Sequence, residues 1–112
     1  MADCLFCRIA NGEIPATLVG ESDTCLAFRD IAPQAPVHVL VIPRTHYRSL
    51  SETPDGAVLG AMGELAKQVA REQGIAESGY RVVLNTGDNG GQTVHHIHMH
   101  VLGGRQLKWP PG

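Results

Sequence analysis

Residues 96–102, His-Ile-His-Met-His-Val-Leu, decide the fold of this chain and suggest its chemistry. Three histidines alternate with apolar residues, and this alternation predicts a β-strand over 96–102 with one polar and one packed face. Residues two apart on a strand lie roughly 6.6 Å apart on the same side. We therefore expect the imidazoles of His96, His98 and His100 to form a row on one face of a sheet.

A row of imidazoles serves two main purposes in proteins. Neutral imidazole is the commonest metal ligand, and near neutral pH it also acts as a nucleophile or an acid–base group. The segment 87–93, Gly-Asp-Asn-Gly-Gly-Gln-Thr, precedes the row, and its glycines allow backbone N–H groups to approach an anion closely. A phosphate-binding loop that leads into a histidine row favours phosphoryl chemistry with a histidine nucleophile.

The His-x-His-x-His motif followed by two apolar residues resembles that of the histidine triad (HIT) family of nucleotide hydrolases and transferases. Residues 28–38 resemble the family's nucleoside-binding segment, and residues 90–93 resemble its phosphate loop. The tail, residues 102–112, is similar to that of the nucleoside phosphoramidase branch. The resemblance implies a HIT-like fold, a two-fold homodimer and hydrolysis of the P–N bond of purine nucleoside 5′-phosphoramidates.

The resemblance also assigns roles to the histidines. His98 is the expected nucleophile, and it would carry the nucleoside monophosphate in a covalent intermediate that water then hydrolyses. Attack requires a neutral imidazole, so activity should fall at acid pH. His100 would hydrogen-bond the same phosphate, and His96 completes the catalytic row. A lone histidine on an apolar strand is more often a core residue, but the resemblance places His38 beside His98.

Further nucleotide contacts are expected from the segments around the triad. Asp30 follows a strand end, and a carboxylate can accept hydrogen bonds from both hydroxyls of a ribose, although an aspartate there could equally cap a turn. Thr93 stands where the family often has serine, and its hydroxyl could assist the departing amine. The resemblance implies that the base contacts four apolar residues, although each of them could almost as well belong to an ordinary core: Phe6, Ile9, Phe28 and Ile31. It implies that the phosphate contacts residues of the glycine-rich loop and its surroundings: Asn85, Gly91, Gln92 and Thr93.

A Cys-x-x-Cys motif at Cys4 and Cys7 suggests a metal site. Two thiolates and two imidazoles are a normal ligand set for structural zinc. His46 would be the third ligand, and by position in the family His96 would be the fourth. This predicts a structural zinc beside the triad, with no cofactor required for the chemistry. The alternative is two buried free thiols and a surface histidine.

The chain of 112 residues, 43% of them hydrophobic, corresponds to one domain, residues 1–112, with a tail over about 103–112. We predict an α+β fold with a five-stranded, mostly antiparallel meander and one short and one long helix. The strands are expected over 16–21, 24–29, 37–42, 80–86 and 96–102, and the short helix over 4–10. The long helix is expected over 54–73, with a core stripe of Val58, Met62, Leu65 and Val69. We expect Thr53 to cap it, Gly74 to close it, and the backbone to pack closely at Gly60 and Gly63.

Charge and composition exclude several classes of partner. The net charge is −2 and no run of Lys or Arg occurs, which argues against binding to nucleic acid or to a membrane surface. The start, residues 1–4, is neither basic nor apolar, so no signal peptide is predicted and a cytoplasmic location is expected. Three cysteines cannot form a complete set of disulfides.

Other functions stay open from the sequence. The same triad could serve a dinucleoside polyphosphate hydrolase or a nucleotidylyl transferase, and the chain could also be a non-enzymatic nucleotide sensor or a structural zinc module. The tail favours the phosphoramidase, and Trp109 within it would reach the active site of a partner subunit unless the terminus is disordered. The leaving group and the choice of purine do not follow from the residues.

Overall fold

The computed structural model describes residues 3–112, so the first two residues of the segment used to predict the absence of a signal peptide lie outside the described part. Its elements, in chain order, are α1 (Leu5–Ala10), β1 (Leu18–Glu21), β2 (Cys25–Arg29), β3 (Val37–Pro43), α2 (Ala57–Glu72), β4 (Tyr80–Val83) and β5 (Met99–Gly103). A short 3₁₀ helix, Leu50–Glu52, precedes α2. Within residues 3–112, no helix combines the length and hydropathy needed to cross a bilayer.

The five strands form one sheet in the order β1-β2-β3-β5-β4, and every neighbouring pair is antiparallel. The predicted α+β class, strand number and helices are confirmed. The predicted meander holds only for β1, β2 and β3, because β5 inserts between β3 and β4. The interior position between β3 and β4 suits β5, since its residues Met99 and Val101 are buried, whereas the edge strand β4 is partly exposed along its whole length.

The side chains of β3 alternate between two cores. Val39 and Val41 pack in the core under α2, while Leu40 and Ile42 pack with Phe6 of α1 on the opposite face. Burying an aliphatic side chain of this size contributes about 1.5–3 kcal/mol, and a one-residue slip would move every side chain to the wrong face. This register therefore places buried His38 on the α1 face of the sheet, together with Leu40 and Ile42.

The strand that carries the triad begins later than predicted. Its ladder with β3 begins at the pair Val41 and Met99, so His96 and His98 precede β5 instead of lying within it. Pro43 ends β3 and has no N–H to extend the ladder. The backbone N–H of Ile97 instead donates to the carbonyl of Tyr47 at 2.7 Å.

The long helix differs from the prediction at its start. It begins at Ala57, whose N–H is bound by the Asp55 carboxylate at 2.9 Å, while Thr53 ends the preceding 3₁₀ helix, so the predicted Thr53 cap is wrong. The predicted close packing at Gly60 and Gly63 is also wrong, because a Cβ at either position would meet nothing within 4 Å. Gly74 follows the helix in the left-handed region with φ +75°, as expected of a closing glycine. The core stripe is confirmed at Met62, Leu65 and Val69, with Val58 half-buried beside them.

Candidate active site

His98 has one ring nitrogen occupied and one free. Its Nδ1 lies 2.8 Å from the carbonyl oxygen of His96. A carbonyl can only accept, so Nδ1 carries the hydrogen and Nε2 of the neutral ring keeps a lone pair. Among the described residues, every fully buried side-chain nitrogen or oxygen has a hydrogen-bond partner. Nε2 of His98 has no hydrogen-bond partner there, so it must be accessible to solvent. The ring itself is held edge-on against Phe6, with centroids 5.1 Å apart.

His38, His100 and Asp30 lie beside His98. The rings of His98 and His100 are 5.1 Å apart. Nε2 of His38 is 2.9 Å from Nδ1 of His100 and 3.4 Å from a carboxylate oxygen of Asp30. Burial lowers the pKa of His38, with an opposing effect from Asp30, and burial followed by the neighbouring histidines lowers the pKa of His100 to about 4. Both imidazoles are therefore neutral at neutral pH.

An apolar cleft of about 320 Å³ adjoins this histidine cluster. Phe6 and Phe28 pack edge-on in its wall, with centroids 5.5 Å apart, and Ile31 stands fully exposed on its rim. Of the described residues that line the cleft, Arg29 and Asp30 alone are charged. All five residues predicted for the base and ribose line this one cleft: Phe6, Ile9, Phe28, Asp30 and Ile31.

The glycine-rich loop is organised by Gln92. Its buried side chain accepts from the N–H of Gly87 at 3.0 Å and donates to the carbonyls of Arg48 and Val94 at 2.7 and 3.0 Å. Because its backbone N–H also bonds Gly87, a direct contact of Gln92 with phosphate would require one of these bonds to break. Gly90 is needed here, since a Cβ would collide with the backbone oxygen of Thr86.

The other predicted contacts lie at the surface around the site. Gly91, with φ +85°, and Thr93 are exposed on the loop, and Asn85 is half-buried beside it. The neighbouring His95 is also exposed. Trp109 is 79% exposed, and its ring lies 5.8 Å from the Arg81 guanidinium of the same chain. The roles of these residues toward a nucleotide stay predictions.

The four predicted zinc ligands converge on one point, with their donor atoms all within 4.8 Å of one another. Cys4 Sγ lies 3.3 Å from His96 Nδ1, and Cys7 Sγ lies 3.3 Å from His46 Nδ1. Tetrahedral zinc with bonds of about 2.3 Å to sulfur and about 2.0 Å to nitrogen separates neighbouring ligands by about 3.5 Å. His96 Nε2 donates to the carbonyl of Pro43 at 2.9 Å, so its lone pair is on the Nδ1 that faces the thiols. The donor set therefore fits zinc.

Sequence reasoning missed several residues that line the cleft. Leu40 could have been found, because it alternates onto the same face as His38. Arg29 and the segment 14–16 lack any pattern that marks a binding wall. The residues of the lining that were not predicted are Leu5, Ile14, Pro15, Ala16, Arg29, Leu40 and Val94.

The lowered pKa values predict how stability depends on pH. Unfolded His38 and His100 have ordinary pKa values near 6.5, so below that pH the unfolded state binds protons that the folded state refuses. The free energy of unfolding should therefore fall as the pH drops from 6.5 toward 4. Urea unfolding at pH 7.5, 6.0 and 5.0 should show a smaller fall for His100→Gln than for wild type. Equal falls for both proteins would contradict a lowered pKa at His100.

Relatives of known family share both the sequence and the architecture. Residues 11–107 match the HIT domain family. An uncharacterized HIT-like protein of Synechococcus elongatus is 54% identical over 112 residues, which are 98% of this chain and 97% of the relative. A HIT family hydrolase from Legionella pneumophila is 52% identical, with a TM-score of 0.94 over 98% of this chain and 100% of that one. A histidine triad nucleotide-binding protein from Candida albicans is 32% identical, with a TM-score of 0.84 over 98% and 85%.

A sheet of five antiparallel strands, with a histidine triad that leads into the interior strand β5, thus defines the class of this protein. The chain belongs to the HIT domain family, and its sequence and fold are similar to those of a HIT family hydrolase.

Proposed function

We propose that this protein hydrolyses purine nucleoside 5′-phosphoramidates, with His98 as the nucleophile. The observation that carries the proposal is the bond from His98 Nδ1 to the His96 carbonyl, because it leaves a solvent-accessible lone pair on Nε2 next to an apolar cleft. In the first step Nε2 attacks the phosphorus and the P–N bond breaks. The electron pair leaves with the amine, which takes up a proton.

In the second step, water attacks the phosphorus of the nucleotidyl–His98 intermediate. The bond to Nε2 breaks, the imidazole recovers its lone pair, the attacking water gives up a proton to solvent, and the nucleoside monophosphate is released. His100 stands next to His98 and would hydrogen-bond the phosphate in both steps. Thr93 is exposed on the loop that leads to the triad, where its hydroxyl can serve the departing amine.

The cleft supports a nucleoside as the remainder of the substrate. One oxygen of the Asp30 carboxylate accepts the N–H of Ala32 at 2.8 Å, and the partly exposed carboxylate retains lone pairs for ribose hydroxyls. The wall beyond it is formed by Phe6, Phe28 and aliphatic side chains, which hold a planar base by apolar contact. Because an apolar wall forms few hydrogen bonds with the edges of a base, we expect adenine and guanine substrates both to be accepted.

We also propose that the cluster of Cys4, Cys7, His46 and His96 holds a structural zinc. Burial, reinforced by Cys4, raises the pKa of the Cys7 thiol, so a bound cation is needed to stabilise two thiolates here. The metal would tie α1 to the bend before β5, and it would supply no chemistry to the reaction. His96 connects the two sites, since its ring faces the thiols and its carbonyl holds His98.

The edge of the sheet supports a homodimer. Within residues 3–112, β4 is an outermost strand that pairs with β5 alone, and its side chains Tyr80 and Val82 are 36% and 43% exposed. A second copy paired along β4 would bury these side chains and the free backbone groups of the edge. Arg81 also holds the tail next to β4, so Trp109 would lie close to that second copy. Light scattering should give the mass of a dimer for wild type and of a monomer for Val82→Lys.

A substrate panel read by product identity tests the proposed activity. Adenosine 5′-phosphoramidate should give AMP and ammonia at a rate well above that of diadenosine polyphosphate cleavage. Faster cleavage of the dinucleotide would favour the polyphosphate hydrolase, and transfer of the nucleotidyl group to a second phosphate would favour the transferase. Tight AMP binding without turnover of either substrate class would instead identify a sensor.

A further inference from the structure

A chain of hydrogen bonds runs from the backbone into the triad. The peptide N–H of Gln34 donates to Nδ1 of His38 at 3.0 Å. A peptide N–H cannot accept, so Nδ1 of His38 must hold the lone pair and Nε2 must hold the hydrogen of the neutral ring. This Nε2–H faces Nδ1 of His100 at 2.9 Å, so Nδ1 of His100 accepts and its hydrogen resides on Nε2.

The turn that contains Gln34 is held by contacts on both sides of the Gln34 N–H. Arg105 at the start of the tail donates from Nη2 to the Gln34 carbonyl at 2.8 Å, and the Gln34 side chain donates to the carbonyl of Ala32 at 2.9 Å. Two prolines, Pro33 and Pro36, further restrict the backbone of this turn. These contacts restrain the backbone on both sides of the Pro33–Gln34 peptide, whose N–H is directed at His38.

We propose that the Gln34 peptide is a positioning group that fixes the tautomers of His38 and His100, so that His100 presents an N–H to an anionic substrate. His98 is fixed in the opposite sense by the His96 carbonyl. Two neighbouring imidazoles, 5.1 Å apart, thus offer a lone pair from one ring and a donor from the other. A nucleophile and a donor to a phosphoryl oxygen are the pair that attack on phosphorus requires. The anion as ligand rests on the proposed function, whereas the tautomers do not.

The tautomer of His38 also determines whether the cluster of Asp30, His38 and His100 favours a hydrogen bond or a bound metal. Asp30, His38 and His100 have donor atoms close enough together to hold a cation. A metal on Nε2 of His38 would require its hydrogen on Nδ1, where it would oppose the Gln34 N–H. The N–H of Gln34 therefore favours a hydrogen bond from His38 to His100 over a bound metal.

Long-range ¹H–¹⁵N NMR of the ¹⁵N-labelled full chain at pH 7.5 distinguishes the two nitrogens of each ring. In wild type, His38 and His100 should carry their hydrogens on Nε2, and His98 should carry its hydrogen on Nδ1. The variant Gln34→Pro lacks the peptide N–H and should lose the single fixed tautomer of His38, while Gln34→Ala keeps the N–H and should keep the tautomers. Wild-type spectra with the hydrogen of His38 or His100 on Nδ1 would overturn the proposal, whether or not the proline variant folds.

Titration with AMP then separates this proposal from the proposed function. Binding should shift the Nε2–H proton of His100 strongly, because a phosphate oxygen becomes its acceptor. If the tautomers are as expected but AMP shifts a different set of histidine protons, then His100 is not the hydrogen-bond donor to the phosphate. The proposal that Gln34 fixes the tautomers would still stand. If AMP binds but the tautomers are reversed, the proposed role of Gln34 is wrong, while nucleotide binding by the protein still stands.

Discussion

Replacing His98 by alanine should abolish turnover of adenosine 5′-phosphoramidate, with kcat lower by about 10⁴-fold or more. Its Nε2 is the proposed attacking atom, and the adjacent His100 cannot substitute for it, because its outward nitrogen carries a hydrogen in the tautomer set by His38. Binding should survive the change, since the cleft and Asp30 are unaltered. Steady-state rates and AMP titration by calorimetry measure the two effects separately.

The matched control for this variant is His95→Ala. His95 is exposed and lies three residues from His98, so its loss changes the histidine content of the segment without touching the nucleophile. It should retain a rate close to that of wild type. A His98→Ala protein with more than a few per cent of wild-type kcat would remove His98 from the role of nucleophile.

Replacing Cys7 by serine should empty the metal site and destabilise the fold. We expect wild type to bind about one zinc per chain and the variant to bind almost none, because a neutral hydroxyl replaces a thiolate. Structural zinc contributes on the order of 10 kcal/mol to folding in small peptides, so the free energy of unfolding should fall by several kcal/mol. Elemental analysis and urea unfolding provide the measurements.

Cys25→Ala is the control for the zinc site. Cys25 is buried in β2, and it is absent from the four-residue cluster. This variant should keep its zinc, whatever it loses in packing. The Cys7 variant should also lose roughly tenfold in kcat/KM, because His96 joins the cluster to the nucleophile. Unchanged zinc content in Cys7→Ser would contradict the site.

Local pattern was enough to predict the elements. The period of two along a strand puts His38 on the same face of β3 as Leu40 and Ile42, and the helical period puts Met62 on the core side of α2. Boundaries followed less well, because they depend on partners distant in sequence. The ladder of β5 begins at Met99 since β3 ends at Pro43, a fact that the residues of β5 do not contain.

The site was predictable to the extent that side chains carry its chemistry. The predicted zinc ligands are distributed over residues 4–96, and only the resemblance to the family identified His96 as the fourth of them. Gln34 could not be found, because its contribution is a peptide N–H that every residue except proline possesses. Gln92 shows the converse, since an amide predicted to contact phosphate is engaged with the backbone of its own loop.

The central claim is that His98 Nε2 forms a bond to the substrate phosphorus. Rapid mixing with adenosine 5′-phosphoramidate, quenching in alkali and fragmentation of the peptide that contains residues 95–100 would locate the nucleotidyl group. We predict an AMP adduct on His98 that forms and decays at rates compatible with turnover. An adduct on His100, or full turnover with no adduct at any histidine, would contradict this mechanism.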